Sequence, residues 1–166
     1  MKYKHNIELP GIKKLRMYDP TEIRDVVSSD PGLYIWWSRN PIVPVYIGTA
    51  LNKRGLLGRV VQQHLCPTYL EMRPEKTALA LCADYKGKKA AEKSVFRKKV
   101  SKKYSLVPGI KCVDFIMKNF LVSFISMADV SPEIIQETEQ LLIETYRPEY
   151  NTLFAGIVKS KKTRIS

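Results

Sequence analysis

The chain has 166 residues, 45% of them apolar and 27% charged, which suits one domain with a buried core and argues against disorder. Its 28 Lys and Arg against 16 Asp and Glu leave a net charge of +12, which favours a polyanion, nucleic acid ahead of an anionic membrane. The longest apolar run, FLVSFISMADV, is too short to span a bilayer, and MKYKHNIELPG lacks the apolar centre of a signal peptide. No membrane partner is therefore expected.

Residues 1–18 are basic and mixed, with an edge strand suggested before Pro10-Gly11. Asp19-Pro20 reads as a cap and first residue of a short helix, TEIRDVVSS, stopped by Asp30-Pro31-Gly32. Two apolar runs follow, GLYIWWS and VPVYIGTA, separated by RNPIVP, whose prolines break regular structure. They predict an antiparallel hairpin carrying Tyr34 and Tyr46. LNKRGLLGRVVQQHL then reads as a loop entering a helix, with Leu57, Val60, Val61 and Leu65 on its apolar face.

Residues 66–87 give the weakest pattern; TALALCA suits a short strand or a helical turn equally. KKAAEKSVFRKKVSKKY reads as a basic helix with Phe96, Val100 and Tyr104 on one face. Nine Lys and Arg lie from Lys86 to Lys103, with Glu92 the only acid in that stretch. NFLVSFISM predicts a buried strand, and Ser131-Pro132-Glu133 opens a last helix that Arg147-Pro148 closes. Cys66, Cys82 and Cys112 lack the spacing of a zinc site, so reduced thiols and a cytoplasmic (or nucleoid-associated) location are expected.

On the last helix, Glu133, Glu137, Gln140 and Glu144 form the polar face, opposite Ile135, Leu142, Ile143 and Tyr146. Glu139 belongs to the inward side. A buried carboxylate needs a cation, a hydrogen-bond donor or a proton, and pairing with a core Arg or Lys would serve as well as a metal.

Gly32-Leu33-Tyr34 followed by Tyr46-Ile47-Gly48, with Glu139 and then Asn151 twelve positions later after a proline, resembles the signature of the GIY-YIG nuclease family. Leu33 replaces the usual isoleucine. The resemblance covers roughly 31–152, leaving 1–30 as an N-terminal extension, an insert at about 66–87, and 153–166 as a basic tail. It implies an α/β (α+β) fold: a small, mainly antiparallel three-stranded sheet flanked by helices.

The resemblance also implies a metal-dependent DNA endonuclease with one active site, of restriction or mobile-element type. Glu139 would hold one Mg²⁺ or Mn²⁺, and Asn151 would close the site. Tyr34, ahead of Tyr46, would take the proton of the attacking water, its pKa lowered by Arg59 or Lys93. Gly32 and Gly48 would allow close backbone approach. The family's helix arginine is Arg59, but His64 follows it by five residues, not four, with Gln63 at the usual place. On an α-helix five residues turn about 140° away, which leaves His64 off the site unless the helix is adjusted. Lys93, Ser94, Arg97, Lys98, Lys99 and Lys102 would follow the DNA backbone. Double-strand cutting would need a homodimer or sequential nicks. The competing reading is a non-catalytic nucleic-acid-binding module on a degenerate nuclease scaffold.

Overall fold

The computed structural model describes residues 7–9, 12–73, 83–85 and 88–151. Its centre is a three-stranded antiparallel sheet built from β3 (Gly32–Ser38), β4 (Pro44–Ala50) and β8 (Phe120–Ser126), in the order β4-β3-β8. β3 is the middle strand and pairs Tyr34 with Gly48 on one side and Phe124 on the other. Alternation sends Leu33, Ile35 and Trp37 to one layer and Tyr34 and Trp36 to the other. Both layers are covered. α3 (Pro132–Tyr146) buries Ile135, Leu142 and Ile143 against the first. Against the second lie a π-helix (Leu57–His64), α1 (Val95–Tyr104) and α2 (Ile110–Asn119). The class is α+β, a small antiparallel sheet with helices on both faces.

A hairpin of β1 (Ile7–Leu9) and β2 (Ile12–Leu15) and a second antiparallel sheet stand beside this core. The second sheet comprises β5 (Leu70–Arg73), β6 (Ala83–Tyr85) and β7 (Lys88–Glu92), in the order β5-β7-β6. Among the described residues no helix is long and apolar enough to cross a membrane.

Three elements differ from expectation. TEIRDVVSS forms only a 3₁₀ turn, Pro20–Glu22, capped by Asp19. Its later residues serve another helix: the carbonyls of Ser28 and Asp30 accept from the N–H groups of Leu57 and Leu56, which would otherwise be orphaned. Lys88–Glu92 is a strand, not the start of the basic helix; pairing with β5 and β6 overrides the helical preference of KKAAE. Helix α2 is an addition to the expected elements, with Cys112, Val113 and Ile116 supplying its buried face. Most of TALALCA, with Cys82, and the tail beyond Asn151 fall outside the described residues.

Candidate active site

β4 is an edge strand, so its outward backbone groups lack a strand partner. The end of the chain supplies partners. Tyr150 N–H donates to the Val45 carbonyl at 2.8 Å. Asn151 takes both groups of Ile47: Ile47 N–H donates to Oδ1 and Nδ2 donates to the Ile47 carbonyl, each at 2.8 Å. The Glu139 carboxylate lies by the backbone of Thr49, which acts to lower its pKa. Glu139 and Asn151, twelve residues apart, thus meet alternate positions of one strand.

The tyrosines approach from the hairpin. Tyr34 is buried and Tyr46 half-buried, with ring centroids 6.2 Å apart. Gly48 is glycine because Tyr34 occupies the space of a side chain: a Cβ there would overlap the phenol oxygen. At Gly32 a Cβ would overlap the Ile125 carbonyl of β8. Gly32 thus admits the backbone of β8, and Gly48 admits the Tyr34 side chain.

The π-helix answers the five-residue offset. Its hydrogen bonds join i to i+5, so residues five apart come to a common face. His64 is fully buried, with Nε2 2.9 Å from the Tyr34 hydroxyl and Nδ1 2.6 Å from Ser94 Oγ. Arg59 donates to Gln63 Oε1 at 2.6 Å, and its Nε is buried without a partner among the described residues. Beneath the cluster Phe96 packs against Trp36, Tyr46 and His64, at centroid distances of 4.9, 5.3 and 5.8 Å.

The groups act on one another's ionisation. Burial and the Arg59 and Arg97 guanidiniums hold His64 well below its usual range, so it is neutral at neutral pH. Burial raises Glu139, against the Thr49 hydrogen bond and the Arg59 charge. It has no salt bridge to a described residue, so the alternative of a core ion pair is not what is seen there. Burial pushes Tyr34 well above 10, the neighbouring Tyr46 adding to the rise. Tyr46 also rises, but a hydrogen bond from Tyr34 offsets part of the burial effect. Arg59 lowers both without prevailing. Both phenols are thereby harder to ionise than a free tyrosine.

Two residues leave the expected DNA-contact set. Arg97 is fully buried and donates to Glu92 Oε2 at 2.5 Å and to the carbonyls of Cys66 and Tyr69. Glu92 also accepts from Gly109 N–H at 3.1 Å. The one acid of the basic segment is there to hold its one buried arginine. Ser94 is likewise buried, capping α1 and touching His64. Lys93 and Lys102 are exposed, Lys98 and Lys99 half-exposed. Lys93 sits over the Tyr69 ring at 5.7 Å and acts on Glu71, and neither contact takes it to the tyrosines.

Pattern alone does not reveal Gln63 and Ser94 as positioning partners. Gln63 stands at the family's place for a histidine or tyrosine, which is the available signal. Among the described residues no three His, Cys, Asp or Glu side chains cluster to hold a metal. A lone, desolvated carboxylate suits a hard ion that keeps most of its water and takes further oxygens from a phosphate. Comparisons with protein-family models, curated proteins and solved structures give no match to this chain.

Proposed function

We propose that this chain is a metal-dependent endonuclease of GIY-YIG type that hydrolyses DNA phosphodiester bonds at a single active site. One observation carries the reading. Tyr34, Tyr46 and Glu139 come from three elements and His64 from the π-helix that also carries Arg59, yet the Arg59 charge acts on the ionisation of all four, with Asn151 tied to the same strand edge.

Glu139 would hold one Mg²⁺ or Mn²⁺, which supplies charge for the phosphate and for the attacking water. Arg59, its Nε free of partners among the described residues, is the protein's cation for the phosphate oxygens as charge builds on phosphorus. The tyrosine pair would receive the water proton. At rest both phenols are protonated, so that role depends on positive charge which Arg59 alone does not supply. His64, neutral and locked between Tyr34 and Ser94, fixes the first phenol in place. The exposed lysines of α1 would meet the DNA backbone.

The test is nicking of supercoiled plasmid by the full chain in Mg²⁺, with and without EDTA. Cleavage that EDTA abolishes and excess Mg²⁺ restores is the expected result. Salt-sensitive DNA binding with no cleavage in Mg²⁺ or Mn²⁺ would favour the non-catalytic binding module.

A further inference from the structure

Ser94 Oγ, His64 and Tyr34 form a continuous buried line of hydrogen bonds, and its Ser94 end determines its direction. Ser94 is wholly buried, and Arg97 N–H donates to its Oγ at 3.2 Å. Among the described residues its only other side-chain partner is His64 Nδ1, at 2.6 Å. Were Nδ1 protonated, Ser94 Oγ would accept twice and its own hydrogen would have no acceptor among the described residues. Buried hydroxyls are rarely left so. Donation from Ser94 to an unprotonated Nδ1 satisfies every group.

The rest follows by counting protons. A neutral His64 with a bare Nδ1 carries its hydrogen on Nε2, which faces the Tyr34 oxygen at 2.9 Å. Tyr34 then accepts from His64 and must send its own hydrogen elsewhere. The neighbouring polar side chain is Tyr46, whose ring centroid lies 6.2 Å from that of Tyr34.

We propose that Ser94 is a positioning residue: it fixes His64 as the Nε2–H tautomer and so orients the chain Ser94 to His64 to Tyr34, making Tyr34 an acceptor from His64 whose own hydrogen points away from the imidazole. Its catalytic meaning rests on the nuclease reading; its structural content does not. An N-terminal helix cap thereby acquires a second task.

The experiment uses the full chain labelled with ¹⁵N-histidine, at neutral pH and without metal. The chain holds two histidines, and His5→Gln assigns the spectrum. In two-bond proton–nitrogen correlations, His64 is expected with Nδ1 as the unprotonated nitrogen and Nε2 as the protonated one. Ser94→Gly removes the hydroxyl at a position where glycine still caps tolerably, and should lose the single tautomer. Ser94→Thr keeps the hydroxyl and should retain it. In plasmid cleavage, Ser94→Gly should lower kcat about tenfold with KM unchanged, and Ser94→Thr should recover it. A wild-type Nδ1–H tautomer overturns the proposal, as does an unaltered Nε2–H tautomer in Ser94→Gly. If Ser94→Gly fails to fold, the wild-type and Ser94→Thr spectra still decide. A protein that cuts nothing would sink the nuclease reading while leaving the spectra to judge the hydrogen-bond direction.

Discussion

Asn151 holds Ile47 by both backbone groups, each at 2.8 Å, and so replaces a neighbouring strand with one side chain. Unpaired edge groups invite pairing with another chain. Asn151→Ala should cost about 1–3 kcal/mol, the penalty for leaving partly buried backbone groups unsatisfied. Urea unfolding would measure it. Asn151→Asp should be destabilised too, since a carboxylate accepts from Ile47 N–H but cannot donate to the carbonyl. An Asp variant as stable as wild type would show that the second bond contributes nothing.

Glu139→Gln should abolish cleavage and leave DNA affinity within about twofold, because it removes the charge and keeps the shape. Glu137→Gln, on the exposed face of the same helix, is the matched control and should cut like wild type. Single-turnover rates in Mg²⁺ decide. A Glu139→Gln protein that cuts normally removes this carboxylate from the metal site.

Arg97 and the surface lysines should separate cleanly. Arg97→Met strands Glu92 in the core and should cost about 3–5 kcal/mol. Lys98, Lys99 and Lys102 changed together to Glu should leave stability nearly intact. They should weaken binding to all sequences and flatten the plot of log K against log salt, by about one unit for each phosphate no longer neutralised. Unchanged salt dependence would mean that this face points away from DNA.

His64 should make folding acid-sensitive. Its folded pKa lies well below the unfolded value near 6.5, so the folded state binds fewer protons there. The stability it contributes is complete above about pH 6.5 and is lost as pH falls towards the folded pKa. The slope is at most about 1.4 kcal/mol per pH unit. Glu139, raised by burial, works in the opposite sense at lower pH, but more weakly. His64→Asn should therefore show a flatter fall in Tm than wild type between about pH 6.5 and 5. Parallel curves would exclude a neutral buried imidazole.

Sequence reveals the parts whose patterns are local. The hairpin is readable from its prolines and apolar runs, β8 from β-branched and aromatic residues, and α3 from Ser131-Pro132 and its two faces. The burial of Arg97 is not readable, because a charge run looks solvated whichever of its members finds a buried acid. Lys88–Glu92 reads as helix until its two strand partners, both from the poorly patterned segment, are known. The π-helix is the clearest case. Its residues suit an α-helix equally, and only the demand that Arg59 and His64 meet their partners separates the two windings.

That winding has a consequence for how the site could change over time. Most helices tolerate substitution more readily than insertion, yet here chain length itself sets which side chains meet. Deleting Gln62, which is exposed, would shorten the separation of Arg59 and His64 to four residues, the spacing that an ordinary α-helix brings to one face. The local bulge would then have no purpose, and the same two side chains could meet on regular geometry. The change of pitch brings residues five apart to one face where an α-helix brings residues four apart, so the segment would bear a one-residue length change that its sequence alone would mark as disruptive.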